Sequence, residues 1–272
     1  MKLPRLPKRK PDSHKGDYGR VLIVAGSTGM CGAATLASEA AYRSGAGLVY
    51  LAVPSTLVPI LSVKQTCAVV RPLPDSGDGH LGIGAAKAIL ALARECDVIA
   101  IGPGLGFSAE VPGVTASVAI PLIIDADGLN AFADKPDDLA RGPAPKILTP
   151  HPGELSRLTS ERPDRKAWAR ESAERFRAIV VLKGHETVVT DGKRLYVNDT
   201  GNPGMATGGA GDVLTGVIAA LIGQKLDPFD AAVLGVNIHG LAGDLAAKKF
   251  GEVSMIATDI IDALPFAFMR RS

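Results

Sequence analysis

Residues 202–223 read N-P-G-M-A-T-G-G-A-G-D-V-L-T-G-V-I-A-A-L-I-G, a glycine-rich turn followed by apolar residues at helical spacing. The start of a helix offers unpaired backbone N–H groups and the positive end of the helix dipole, so it suits an anion such as phosphate. Glycines cluster at Gly208, Gly209 and Gly211, and Asp212 then places a carboxylate where it would face that anion. Asp212 could instead only cap the helix above a mobile turn, but a cap does not require three glycines. We therefore predict an anion site with a carboxylate beside it.

The composition is typical of a parallel sheet covered by helices, because 46% of the 272 residues are hydrophobic and only 4% are aromatic. The net charge of +2 is too balanced for a protein that binds nucleic acid by neutralising phosphates. The three cysteines have no C-x-x-C spacing, which favours neither disulfides nor zinc and fits a reducing cytoplasm. No run approaches the roughly 18 apolar residues that a membrane span requires, so we expect a soluble protein.

Residues 1–19 are rich in basic residues and proline but contain no apolar core segment, so they do not form a secretory signal. We expect an ordinary solvated leader, although contact of this basic segment with a nucleotide is an alternative. The rest of the chain contains no internal repeat, low-complexity tract or linker. A single domain covering residues 1–272 is therefore the simplest organisation.

Short apolar runs alternate with helical patterns and predict a three-layer α/β/α fold with a mostly parallel central sheet. Asp191 and Gly192 separate two alternating runs, 187–190 and 194–197, and predict a late antiparallel hairpin. Ligands gather at the carboxyl ends of parallel strands, where the glycine-rich and charged clusters of this sequence fall. The predicted strands are 20–26, 48–53, 67–71, 97–101, 121–124, 146–148 and 179–182, and the predicted helices are 33–44, 82–94, 165–177, 210–223, 229–247 and 258–267.

Spacing excludes two common phosphate-binding motifs. No G-x-x-x-x-G-K-[ST] loop occurs in the chain. The sequence G-P-G-L-G at 102–106 follows a strand and precedes Asp125 by about twenty residues, as a dinucleotide fingerprint would. However, Phe107 stands where the last glycine should be, and Pro103 stiffens the turn. The glycine loop at 26–32 misses the same pattern, so hydride transfer with a Rossmann-bound cofactor is not favoured.

Other side chains at strand ends are also candidates for a site. His151 lies between two prolines without a second histidine at ligand spacing, which favours a hydrogen bond to substrate over a metal site. Lys183 follows a buried strand and could reach a phosphate, or could simply be exposed. Asp125 and Asp127 could hold Mg²⁺ through water or could cap the turn that follows them, and the sequence favours neither interpretation.

Eight longer motifs follow one another along nearly the whole chain: H-K-G-D-Y-G-R (14–20), G-S-T-G-M-C-G-A-A (26–34), R-S-G-A-G-L-V (43–49), G-P-G-L-G (102–106), D-A-D-G-L-N (125–130), T-P-H-P-G-E (149–154), V-L-K-G-H-E-T (181–187) and N-P-G-M-A-T-G-G-A-G-D (202–212). Together they closely resemble the ADP/ATP-dependent NAD(P)H-hydrate dehydratases of the ribokinase-like superfamily. One departure is Ala210, where that family commonly has threonine, and it leaves the backbone loop possible. The epimerase domain often fused ahead of this module is expected to be absent, so a separate epimerase would be needed.

The resemblance implies a ribokinase-like fold and the repair of NADH or NADPH whose nicotinamide ring has been hydrated at C6, in the S epimer (NADHX or NADPHX). Such an enzyme would phosphorylate the C6 hydroxyl from ADP or ATP with Mg²⁺, giving AMP or ADP, and would then eliminate phosphate. Asp212 would accept the hydroxyl proton, while the amides from Gly208 to Gly211 stabilise charge on the moving phosphoryl group. A cytoplasmic homo-oligomer, a tetramer, is also implied.

The resemblance further implies contacts for individual residues. The hydrated cofactor would contact Ala34, Gly104 or its neighbour Gly106, His151 and Asp212. The adenine nucleotide would contact Lys183, Gly184, His185, Glu186, Thr187, Gly208, Gly209 and Gly211. Two other functions could use the same G-G-A-G-D loop: a vitamin-precursor kinase of the hydroxymethylpyrimidine or hydroxyethylthiazole type, and a non-catalytic nucleotide-binding protein. Asp212 argues against the last, because a pure binder does not need a carboxylate beside an anion.

Overall fold

A computed structural model describes residues 3–271, and the strands of this part of the chain form one nine-stranded sheet. The strand order is β3-β2-β1-β4-β5-β6-β7-β8-β9, in which β1 to β7 pair in parallel and β8 and β9 pair antiparallel. The predicted mostly parallel sheet with a late hairpin is therefore confirmed. The strands are β1 (Arg20–Val24), β2 (Leu48–Pro54), β3 (Val69–Leu73), β4 (Val98–Ile101), β5 (Leu122–Ile124), β6 (Lys146–Leu148), β7 (Ile179–Leu182), β8 (Val188–Thr190) and β9 (Leu195–Val197).

Helices cover both faces of the sheet, and each face has its own apolar core. In β1 the side chains alternate between the two cores, with Val21 and Ile23 on one side and Leu22 and Val24 on the other. The first core contains side chains of α1 (Cys31–Arg43), α2 (Val58–Lys64), α8 (Ala210–Gly223), α9 (Pro228–Phe250) and α10 (Ala257–Met269). The second contains side chains of α3 (Ala85–Ala93), α4 (Val111–Ser117), α5 (Asp127–Asn130), α6 (Pro152–Leu158) and α7 (Arg165–Phe176).

The structure corrects the sequence prediction at the short elements. The helices α2, α4, α5 and α6 were not predicted, because four to seven residues are too few to establish a helical period. The third strand lies at Val69–Leu73 instead of 67–71. It continues through Pro72 because β3 is an edge strand, where a missing N–H group does not interrupt the sheet.

Helix α8, which follows the glycine-rich turn, packs against α1 and α9 and contacts β1 and β4. Two glycines permit this close approach. A Cβ atom at Gly216 would lie 2.1 Å from the carbonyl oxygen of Ala37, and one at Gly235 would lie 2.7 Å from Cγ1 of Ile218. All but two of the residues from Ala210 to Gly223 are buried. The first turn of α8 is therefore fixed in the layer that covers the middle of the sheet.

Most of the described residues of the leader segment are exposed, in line with the predicted solvated leader, but a few of its side chains pack against the protein. Leu3 and Leu6 pack partly buried against the first core. The guanidinium of Arg9 lies 3.8 Å from the ring centre of Tyr18 and donates a hydrogen bond to the carbonyl oxygen of Gly45 at 2.8 Å. Among residues 3–271, no helix combines the length and the apolar character needed to cross a membrane.

Candidate active site

Loops from five strands meet at the carboxyl edge of the sheet. The amide of Gly26, after β1, donates to the carbonyl oxygen of Pro103, after β4, at 2.9 Å. The amide of Gly106 in turn donates to Oδ2 of Asp127, after β5, at 2.9 Å. In the loop after β7, the amide of Lys183 donates to the carbonyl oxygen of Pro150, in the loop after β6, at 2.8 Å. The five loops thus form a continuous rim, as expected for a parallel sheet.

Beneath this rim lies a group of charged side chains that we call the carboxylate cluster: Asp125, Glu154, Lys183 and Asp212. The ammonium of Lys183 is 2.7 Å from Oδ1 of Asp125 and 3.7 Å from Oε2 of Glu154. The hydroxyl of Thr215 donates to the other Asp125 oxygen at 2.8 Å. Asp125 is 1% exposed, so both of its oxygens are satisfied inside the protein.

The cluster shifts the pKa of two of its members. Burial raises the pKa of Asp212 to about 7, and the nearby carboxylate of Asp125 adds to this effect, while Lys183 opposes it. Burial alone would lower the pKa of Lys183, but the carboxylates of Asp125 and Glu154 outweigh it and raise that pKa above its ordinary value. Lys183 is therefore a fixed positive charge, and Asp212 can exchange a proton near neutral pH.

The first turn of α8 brings backbone amides to the same place. Gly209 is the N-cap and has φ +92°, a left-handed conformation that glycine adopts without strain. Within residues 3–271 the amides of Gly208, Gly209 and Gly211 donate no hydrogen bond. A Cβ atom at Gly211 would lie 3.3 Å from Nζ of Lys183, so that ammonium is next to the turn. Free amides and a fixed cation beside Asp212 are groups that can bind an anion such as phosphate.

His151 stands on the rim as the N-cap of α6. Its Nδ1 accepts a hydrogen bond from the amide of Glu154 at 3.2 Å, and Oε2 of Glu154 accepts one from the amide of His151 at 2.7 Å. The reciprocal pair fixes the ring, while the side chain of His151 remains 52% exposed. His151 is thus oriented and accessible, as a residue that binds a substrate must be.

The other predicted substrate contacts differ in accessibility. Ala34 is completely buried, and its methyl group lies 3.1 Å from where a Cβ atom at Gly26 would be. Gly104 is also buried, against Met30. Gly106 is partly exposed on the rim. Gly106 is therefore more accessible to a substrate than Gly104, and Ala34 has no exposed surface.

The two candidate metal-binding aspartates are occupied by protein groups. Asp125 is held by Lys183 and Thr215. Asp127 accepts hydrogen bonds from the amide of Gly106 and, at 3.2 Å, from Nδ2 of Asn130. Among residues 3–271 no three histidine, cysteine or acidic side chains are arranged to hold a metal ion. The described side chains therefore do not form a metal site by themselves. The turn-stabilising interpretation fits only Asp127, because the side chain of Asp125 contacts Lys183 and Thr215, which lie outside that turn.

The predicted nucleotide segment 183–187 is divided by the structure. Gly184, His185 and Glu186 are exposed on the rim, whereas the side chain of Lys183 turns inward to the carboxylate cluster. Sequence reasoning did not identify Thr215, because it lies within the apolar run of α8. The available signal was its spacing, since residues three apart on a helix share a face and Thr215 follows Asp212 by three.

The matching family model and a curated relative both name the same modified cofactor, NAD(P)H hydrate. A family model described as NAD(P)H-hydrate dehydratase matches residues 21–266. The bifunctional NAD(P)H-hydrate repair enzyme Nnr of Moorella thermoacetica is 45% identical over 273 residues, which cover 96% of this chain and 51% of that enzyme. This chain thus spans about half the length of the curated relatives it matches.

Two solved structures have a fold similar to that of this chain. The ADP/ATP-dependent NAD(P)H-hydrate dehydratase of Bacillus subtilis, co-crystallised with ATP and Mg²⁺, superposes with a TM-score of 0.82 at 31% identity, covering 98% of this chain and 95% of that one. A ribokinase-like superfamily protein from Enterococcus faecalis superposes with a TM-score of 0.84 at 29% identity, covering 98% and 92%. The predicted ribokinase-like fold is therefore confirmed.

Proposed function

This chain belongs to the NAD(P)H-hydrate dehydratase family, and we propose that it uses an adenine nucleotide to convert hydrated NADH or NADPH back to the intact cofactor. The observation that carries the proposal is the position of Asp212. It lies in the first turn of α8, beside unpaired amides and the ammonium of Lys183, with a pKa raised to about 7. A carboxylate with that pKa can accept a hydroxyl proton next to a bound phosphate.

The proposed reaction has two steps. Asp212 accepts the proton of the C6 hydroxyl while that oxygen attacks the terminal phosphoryl group of the nucleotide, and the bond from that phosphorus to the bridging oxygen breaks, so that ADP leaves as AMP or ATP leaves as ADP. The amides of Gly208, Gly209 and Gly211 stabilise the negative charge on the group in transfer. Hydroxide is a poor leaving group but phosphate is a good one, so the electron pair of the ring nitrogen can then expel phosphate to give an iminium ion. Loss of a proton from C5 forms the C5=C6 double bond and restores the dihydropyridine.

Both substrates have surfaces available on the rim. We assign the nucleotide to the exposed backbone of Gly184, His185 and Glu186 and to the glycine turn before α8. We assign the hydrated ring to the side of Asp212 that faces His151 and Gly106. Lys183 supports both by balancing the carboxylates beneath them, and Ala34 contributes by packing under the Gly26 loop.

One relative supports the choice of nucleotide. The Bacillus subtilis protein is described as ADP/ATP-dependent and was crystallised with ATP and Mg²⁺, so we propose ADP or ATP as donor. Because the side chains of residues 3–271 do not build a metal site, Mg²⁺ would be bound chiefly by the phosphates of the nucleotide. We further propose that the S epimer is the substrate and that the protein works as a homotetramer in the cytoplasm; sedimentation measurements would test the oligomeric state.

The test is to incubate the protein with hydrated NADH, ADP or ATP, and Mg²⁺, and to follow the near-ultraviolet absorbance of the dihydronicotinamide. We expect the absorbance to return with release of one phosphate per ring. A vitamin-precursor kinase would instead yield a stable phosphorylated alcohol, and a non-catalytic binder would yield nothing. Failure of the absorbance to return with either nucleotide and with both hydrated cofactors would refute the proposal.

A further inference from the structure

The exposed loop after β7 is held from below by one side chain, that of Arg165 at the start of α7. Its guanidinium donates hydrogen bonds to three carbonyl oxygens of this loop: to Leu182 at 3.2 Å, to Lys183 at 3.0 Å and to His185 at 3.0 Å. Arg165 makes no ion pair within the described part of the chain. Its two terminal nitrogens are thus committed to backbone carbonyls, whereas its buried Nε has no partner among the described residues.

Turning these carbonyls inward leaves the amides of the loop free. Within residues 3–271 the amides of Gly184, His185 and Glu186 donate no hydrogen bond, although all three residues are exposed. The loop is closed at its far end by the hydroxyl of Thr187, which donates to the carbonyl oxygen of Gly184 at 2.9 Å. Successive free amides on one side of a turn form a concave site for anions and other acceptors.

The loop would not keep this shape by itself. Gly184 has φ +136°, and a Cβ atom there would lie 3.0 Å from the guanidinium of Arg165, so only glycine lets the guanidinium lie this close to the turn. Glu186 has φ +52°, a left-handed conformation that costs a non-glycine residue about 1 kcal/mol or more. Hydrogen bonds from the guanidinium offset that strain.

We propose that Arg165 is a positioning residue for the nucleotide, because it pre-organises the free amides of Gly184, His185 and Glu186 before the nucleotide arrives. The proposal rests on the proposed function, in which the nucleotide binds this loop. Arg165 acts through the loop and does not touch the nucleotide itself. The planar guanidinium is required, since lysine offers a single ammonium that cannot reach three separate carbonyls in the same way.

The experiment measures the affinity of the full chain for ADP with Mg²⁺ by calorimetry in the wild type, Arg165→Gln and Arg165→Lys. We expect Arg165→Gln to weaken ADP binding about tenfold and Arg165→Lys to weaken it about threefold, because fewer carbonyls remain satisfied. The KM for hydrated NADH should not change, and kcat at saturating ADP should stay within about twofold. A purely structural defect would weaken ADP binding, raise the KM for hydrated NADH and lower kcat together.

Arg162→Gln is the matched control, because Arg162 lies in the same segment but pairs only with Glu171 on the surface. Its ADP affinity should equal that of the wild type. Unchanged ADP affinity in folded Arg165→Gln and Arg165→Lys would overturn the proposal, and Arg165→Lys alone decides if the glutamine variant does not fold. A wild type that binds ADP but does not repair hydrated NADH would refute the proposed function while leaving the role of Arg165 supported by the affinities.

Discussion

Two lysines lie at opposite ends of the parallel sheet, the buried Lys146 at the start of β6 and the partly buried Lys183 just after β7. Lys146 is 3% exposed, and its ammonium donates to the carbonyl oxygens of Arg141, Gly142 and Ala144. All of these lie within five residues of it. Lys183 instead pairs with Asp125, which is 58 residues away.

The surroundings shift the pKa of the two lysines in opposite directions. Burial lowers the pKa of Lys146, because only neutral carbonyls solvate it and Arg177 is nearby. The carboxylates around Lys183 overcome burial and raise its pKa. Burial of a charge therefore does not by itself identify a functional site. What distinguishes the carboxyl edge is that distant parts of the chain bring opposite charges together beside the first turn of α8.

The largest effect is expected for Asp212→Asn, because this carboxylate is the base of the proposed reaction at the carboxyl edge of the sheet. The amide cannot accept the hydroxyl proton, so kcat should fall by roughly two to four orders of magnitude while ADP affinity changes little. Steady-state turnover of hydrated NADH and calorimetric ADP binding measure the two quantities. If the variant had a nearly normal kcat, the carboxylate cluster would have only a structural role, like the carbonyl groups around Lys146.

The comparison is tested directly by Lys183→Met and Lys146→Met. Lys183→Met leaves three carboxylates without their counter-charge and further raises the pKa of Asp212, so kcat at neutral pH should fall by about one to two orders of magnitude. Lys146→Met removes hydrogen bonds far from the site and should cost about 1–3 kcal/mol of unfolding free energy with little change in kcat. Denaturant titration measures the unfolding free energy of each variant, and turnover assays measure its kcat. Equal losses of kcat in both variants would contradict the distinction between a functional Lys183 and a structural Lys146.

A smaller effect is expected for Asp125→Asn, which changes only the charge next to Asp212. Removing the Asp125 carboxylate takes away a contribution that raises the pKa of Asp212 and weakens the hold on Lys183. The acid limb of the kcat profile against pH should therefore move down by about one pH unit. An acid limb that does not move would show that Asp125 has no electrostatic influence on the base.

The smallest effect concerns stability. The pKa of Asp212 rises from its ordinary value of 3.8 to about 7 on folding, so the folded protein retains a proton that the unfolded chain releases. Wild-type stability should therefore fall as pH rises from about 4 to about 7, and Asp212→Asn should escape this loss. We expect the variant to be more stable by about 1–3 kcal/mol at pH 8 and equal below about pH 4. Denaturant titrations at both pH values check this; a constant difference would contradict it.

Much of the fold was predictable because its signals are local. Apolar runs of three to seven residues predicted the parallel strands, and the helical repeat after Asp212 predicted α8. The short helices and the extension of β3 through Pro72 were not, since they depend on packing and on the edge position of that strand. In the site, Asp212 and the three glycines of its turn were identifiable for the same local reason.

The amino-acid sequence was enough to predict an anion site at the start of α8, with a carboxylate beside it and a lysine at the end of a neighbouring strand. Which lysine has charged partners depends on contacts in the folded protein, because Asp125 meets Lys183 and Thr215 across 58 and 90 residues of chain. The same is true of the hold of Arg165 on the loop after β7 and of the burial of Ala34. A pKa depends on burial and on neighbouring charges in space, and neither can be read from the order of residues.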